Sequence, residues 1–140
     1  MKDTISSVLI AASAAIALLL GLIHLLHTFS GQNLQPRDSD LMAKMKTVPL
    51  FISRATTVWR TWIGFNASHS FSLIFFGAVY GHLAMLHRAF LFHSWFLLVL
   101  GFALLLGYVT LAKLYFFRAP FLGVLLAAVL YLLGVVINLV

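Results

Sequence analysis

Four apolar runs, at about residues 5–29, 62–86, 89–113 and 119–140, take up most of this 140-residue chain. Runs of this length leave few choices. About 20 residues, each rising 1.5 Å along a helix, cross a hydrocarbon core of roughly 30 Å, and a helix satisfies its own backbone polar groups on the way. Composition agrees: 63% of residues are hydrophobic and 9% charged, with a mean hydropathy of +1.08, well away from the profile of soluble domains. The fold class that follows is all-α: a polytopic membrane protein, one domain over 1–140, built as a four-transmembrane-helix bundle. A cleaved signal peptide does not fit the start. The small triplet Ala12-Ser13-Ala14 lies inside the first run, and the run is too long for a signal core.

Basic residues set the expected orientation. The connection at 30–61 holds Arg37, Lys44, Lys46, Arg54 and Arg60, and the third turn adds Lys113 and Arg118, whereas the other side has only Lys2 and Arg88. The positive-inside rule then places the first connection in the cytoplasm and both termini outside. The net charge of +6 points to membrane lipids, anionic ones included, and not to nucleic acid. Within the connection, Pro36-Arg37-Asp38-Ser39-Asp40 reads as a turn in which Asp38 or Ser39 caps a short interfacial amphipathic helix that Pro49 ends. From Leu50 onward the pattern predicts a helical run into the second span, with Trp59 and Trp62 at headgroup level.

The second span carries an anomaly. Residues 64–70 read GFNASHS, polar and permissive where apolar residues belong. At 100° per residue, Trp59, Trp62, Asn66, His69, Ser70, Leu73, Gly77, Tyr80 and Gly81 fall near one line, with Phe65, Phe71, Phe75 and Phe76 elsewhere. Ser6, Ser13, Ala17, Gly21, His24, His27 and Thr28 share a side of the first span. Ser94, Gly101, Tyr108, Ala112 and Tyr115 line the third, and Gly123, Ala127, Tyr131, Gly134 and Asn138 the fourth. Small-residue seams of this kind pack helices in lipid, and they serve equally as contacts for a homo-oligomer or for a larger membrane complex, with Gly77-x-x-x-Gly81, Gly123, Ala127 and Gly134 as the surface.

Counting turns from the cytoplasmic end places His24, His27, Asn66, His69, Ser70 and Tyr108 at one depth, below a collar containing Arg54 and Arg60. Polar groups in a membrane are costly unless paired, so such a set reads as a site or as an interhelical tie. Its depth also makes the Asn66-Ala67-Ser68 glycosylation sequon accidental. Donors without carboxylates suit the acceptor-rich head of an amphiphile: a phospholipid, a fatty carboxylate or a quinone. A zinc or copper site on His24, His27 and His69, or a haem between His24 or His27 and His69, is the alternative. No acidic residue follows Asp40, so no carboxylate can support such a metal. No cofactor is the expectation. His69 and His82 are 13 residues apart and lie about 140° from each other, which does not make a two-haem pair. The outer histidines His82, His87 and His93 fit an interfacial aromatic belt.

Catalysis is disfavoured. Small four-span enzymes of the membrane-associated eicosanoid and glutathione family depend on intramembrane acids, and here none exists. Ser68 or Ser70 beside His69 are sequence neighbours that point apart, so no dyad forms. The absence of cysteine removes thiol chemistry and disulfides.

RATTVWRTWIGFNASHS at 54–70, with PRD at 36–38, resembles a group of small bacterial four-span inner-membrane proteins that carry an RxTTxWRxWxGFNxSHS motif. The resemblance implies the architecture and a bacterial inner membrane. It implies no activity, substrate or cofactor.

Overall fold

The computed structural model describes residues 2–140 and is all-helical. α1 (Lys2–Phe29) begins with Asp3 in its first turn, where a negative charge suits the helix dipole. It stops where Ser30 N–H closes back on Leu26 and Gly31 takes φ 86°, a left-handed conformation that glycine adopts without cost. α2 (Ser39–Thr47) is capped by Asp38, whose carboxylate accepts from the backbone N–H of Asp40 at 2.8 Å and of Leu41 at 3.1 Å.

The expected helical run from Leu50 into the second span is not there. Residues 48–58 instead form a closed loop: Val58 N–H donates to Val48 O at 3.0 Å, and Pro49 and Thr57 form an antiparallel bridge. Proline lacks the N–H that a continuing helix needs, and Thr56-Thr57-Val58 are β-branched, so extended backbone wins locally. Phe51 and Ile52 stand on this loop at 111% and 88% relative exposure. α3 (Val58–Leu86) then starts with Thr57 Oγ1 accepting from Arg60 N–H at 3.4 Å.

The third apolar run is also divided. α4 (Arg88–His93) and α5 (Trp95–Tyr115) are separated by Ser94, whose hydroxyl caps α5 by accepting from Leu97 N–H at 3.3 Å. Hydropathy treats Ser94 as one weakly polar residue, whereas its capping ability breaks the backbone. α6 (Arg118–Leu139) carries Pro120 in its first turn, where the missing N–H has no intrahelical acceptor to lose. α1, α3, α5 and α6 are each long and apolar enough to cross a membrane.

The chain divides into two compact units, Met1–Leu20 with Leu73–Val140, and Gly21–Ser72. In the first, α1, α3, α5 and α6 form a ring. Gly77 brings α3 against α1 so closely that a Cβ there would lie 2.6 Å from the Ala14 carbonyl oxygen and 2.8 Å from Leu18 N. A Cβ on Gly134 of α6 would likewise lie 2.9 Å from the Ser6 carbonyl oxygen of α1, and Ser13 Oγ donates to Ala127 O at 2.7 Å. α3 meets α5 through Tyr80, whose hydroxyl donates to Leu97 O at 2.7 Å, and α6 meets α5 through Tyr131, which donates to Leu98 O at 3.1 Å. Asn138 donates to Asp3 at 3.2 Å, bringing the two ends of the chain to one end of the bundle.

The predicted seams are largely the buried ones: Ser6, Ser13, Ala17, Gly77, Tyr80, Gly101, Tyr108, Ala112, Ala127, Tyr131 and Gly134 are all buried. Four residues depart, among them Trp62, which is exposed. Phe76 is buried because it stacks on Tyr80 with ring centroids 4.6 Å apart, while Tyr115 and His27 are exposed. Gly77, Ala127 and Gly134 are consumed inside this bundle and offer no surface to a second copy.

Candidate functional site

The polar residues of the second unit sit where the last turns of α1 pair with the first turns of α3. Asn66 is the fixed point. Its Nδ2–H donates to Trp62 O, one helical turn back, at 2.8 Å. That bond turns Oδ1 toward α1, where it lies 3.0 Å from His24 Nε2. An amide oxygen only accepts, so His24 carries a proton on Nε2 and donates it. The His24 carbonyl is taken by Thr28 Oγ1 at 2.8 Å.

His69 comes from the next turn of α3. Its ring meets His24 edge-to-face, with centroids 5.2 Å apart at 66°. Both rings are partly buried. Ser70 is fully buried and donates to Asn66 O at 2.9 Å, so its hydroxyl serves the helix and not an incoming group. Ser68 donates to Phe65 O at 2.9 Å on the exposed side, and Gly64 faces open space.

The remaining predicted site residues are placed differently. His27 lies about 60° round the helix from His24 and is exposed. Tyr108 is buried in the first unit, on the α5 face that carries Gly101, Leu105 and Ala112. Arg54 and Arg60 are exposed, one on the closed loop and one in the first turn of α3. Within this unit five basic residues, Arg37, Lys44, Lys46, Arg54 and Arg60, outnumber Asp38 and Asp40.

Trp62 has a role that its reading as a headgroup anchor misses. Its carbonyl holds Asn66, and its indole Nε1–H donates to Leu34 O at 3.2 Å, tying the connection to α3. The only sequence signal was the four-residue spacing between Trp62 and Asn66, which allows a side chain to bond back along its own helix.

Among the described residues no three His, Cys, Asp or Glu side chains stand together as ligands. His24 Nε2 faces an amide oxygen, and His27 is exposed. What the site presents is a hydrogen-bonding edge: one imidazole oriented by an amide, and a second beside it. Comparison with protein-family models, with curated proteins and with solved structures finds no match.

Proposed function

We propose that the chain is an integral membrane protein of a bacterial inner membrane, with its termini outside and its first connection in the cytoplasm. Its α1–α3 polar site receives the acceptor-rich head of an amphiphile: a phospholipid, a fatty carboxylate or a quinone. The membrane reading is supported by four spanning-length helices, and the orientation by the excess of basic residues on the first connection and third turn.

The binding reading is carried by the His24–Asn66 bond. Because Nε2 already donates to Asn66, the neutral His24 ring keeps Nδ1 as an acceptor. Only the imidazolium donates from both nitrogens. An anionic phosphate or carboxylate head therefore binds with uptake of a proton at His24, and no acid in the unit other than the exposed Asp38 and Asp40 competes for that charge.

The second reading is a structural tie. It is favoured by the full use of Asn66, whose amide nitrogen and oxygen are both engaged. Lipid extraction and mass spectrometry on the wild-type, His24→Ala and His69→Ala proteins separate the two. Loss of one co-purifying amphiphile class in both variants supports the binding site. An unchanged lipid complement with lowered thermal stability rejects it in favour of the tie.

A further inference from the structure

The loop at 48–58 is the place where the chain departs furthest from its sequence pattern. Its ends are pinned together by the Val58–Val48 hydrogen bond and the Pro49–Thr57 bridge. Inside, Ser53 N–H donates to Leu50 O at 3.3 Å and Ala55 N–H to Ser53 Oγ at 3.1 Å, so its backbone is turned and held. A soluble loop held this way would turn polar groups outward. This one turns out Phe51 and Ile52, the two most exposed large apolar residues between α1 and α3.

Two observations identify what covers them. The first is reach. Val58 opens α3, which is apolar and long enough to cross a membrane, and residues 51–52 are at most about seven residues from it. Because the loop is closed, they extend no more than five or so residues, roughly 17 Å, from that helix start. The second is charge. Lys44 and Lys46 end α2 on the loop side, and Arg54 and Arg60 follow the tip, all four exposed. Asp38 and Asp40 are at the opposite end of α2.

The geometry points to a membrane-inserting loop: Phe51 and Ile52 enter the acyl boundary of the leaflet that α3 enters at Val58, and Lys44, Lys46, Arg54 and Arg60 hold the anionic headgroups around them. The partner is an anionic lipid surface. The inference rests on the membrane reading above and is independent of the histidine site.

The chain has no cysteine, so single-cysteine variants report one position each. Phe51→Cys and Ile52→Cys carry a nitroxide, with Asn33→Cys as an exposed reference on the same connection and Val99→Cys on α5 as the reference for hydrocarbon. Each is reconstituted in vesicles of phosphatidylcholine, alone or mixed with phosphatidylglycerol, and collisions with oxygen and with a water-soluble nickel chelate are compared. The expected result is several-fold lower nickel accessibility and higher oxygen accessibility at 51 and 52 than at 33, more so in the anionic mixture. Lys46→Gln with Arg54→Gln should remove that dependence on phosphatidylglycerol. Nickel accessibility equal to that at 33 overturns the proposal, as does shielding from both reagents, which would mean a protein partner or a second copy. Equal insertion in both vesicle types overturns the anionic-lipid assignment. If the label at 99 is itself in water, the membrane reading fails, and that outcome is distinct from failure of the loop alone.

Discussion

Replacing Gly77 by alanine tests the close backbone approach of α1 and α3. The added Cβ would meet Ala14 O and Leu18 Cβ at 2.6 Å and Leu18 N at 2.8 Å. Ordinary contact begins near 3.4 Å, so α1 and α3 must part by about 0.8 Å, and two of the three opposing atoms are backbone and cannot swing aside. Overpacking of this kind costs about 1–3 kcal/mol. Alanine recovers about 0.5–1 kcal/mol through its better helix propensity. The net loss is about 1–2 kcal/mol, which for a chain of this size lowers the melting midpoint by about 3–8 °C. Gly64→Ala is the control, because nothing lies within 4 Å of its added Cβ and only the propensity gain remains. Thermal unfolding of both variants in one detergent, followed by tryptophan fluorescence, measures the difference. If Gly77→Ala melts at or above the wild type, or if the two variants shift alike, the close approach of α1 and α3 is refuted.

Three further outcomes are expected. Asn66→Ala removes the acceptor of His24 and should cost about 0.5–2 kcal/mol, read as lowered thermal stability without loss of helical circular dichroism. Ser6→Ala and Ser13→Ala should act in opposite senses. The buried Ser6 hydroxyl has no hydrogen-bond partner among the described residues, so its removal is neutral or stabilising, whereas Ser13→Ala forfeits the bond to Ala127 O and about 0.5–1.5 kcal/mol; equal effects in unfolding experiments would contradict the packing. Gly101→Ala drives a methyl into the Tyr131 hydroxyl and the Tyr80 ring. It should destabilise strongly, and Tyr131→Phe in the same chain should relieve part of that loss; a double mutant no better than Gly101→Ala alone would rule out the contact.

The features legible in the sequence share one physical origin. Span number depends on apolar length alone, and buried seam positions such as Ser13, Gly77 and Tyr131 follow from a 100° period that no tertiary detail alters. That His24 and Asn66 lie at one depth was also readable, because each sits a fixed number of turns from the same connection. What escaped depends on local backbone competition. Ser94 and Ser70 score alike on hydropathy, yet Ser94 caps a helix start while Ser70 bonds back along its own helix. Residues 50–57 carry an apolar pattern that suits a helix, and Pro49 with the β-branched run at 56–58 tips them into a bridge. His27 escaped because a 60° offset is enough to leave a narrow interhelical stripe.

The unequal lengths of the helices carry a consequence for the bilayer. α5 and α6 have 21 and 22 residues, whereas α1 and α3 have 28 and 29. At 1.5 Å per residue the longer pair measures about 42–44 Å. Fitting that length wholly into 30 Å of hydrocarbon would need a tilt of about 45°, beyond the range of roughly 0–40° that spans adopt. Under the proposed membrane reading, at least two or so residues of each long helix therefore stand at headgroup depth. The polar residues from His24 to Thr28 and from Arg60 to His69 mark which end that is. On that proposed reading, membrane thickness would govern access to the imidazole edge: a thin bilayer would leave it among water and headgroup oxygens, and a thicker one would draw it into hydrocarbon.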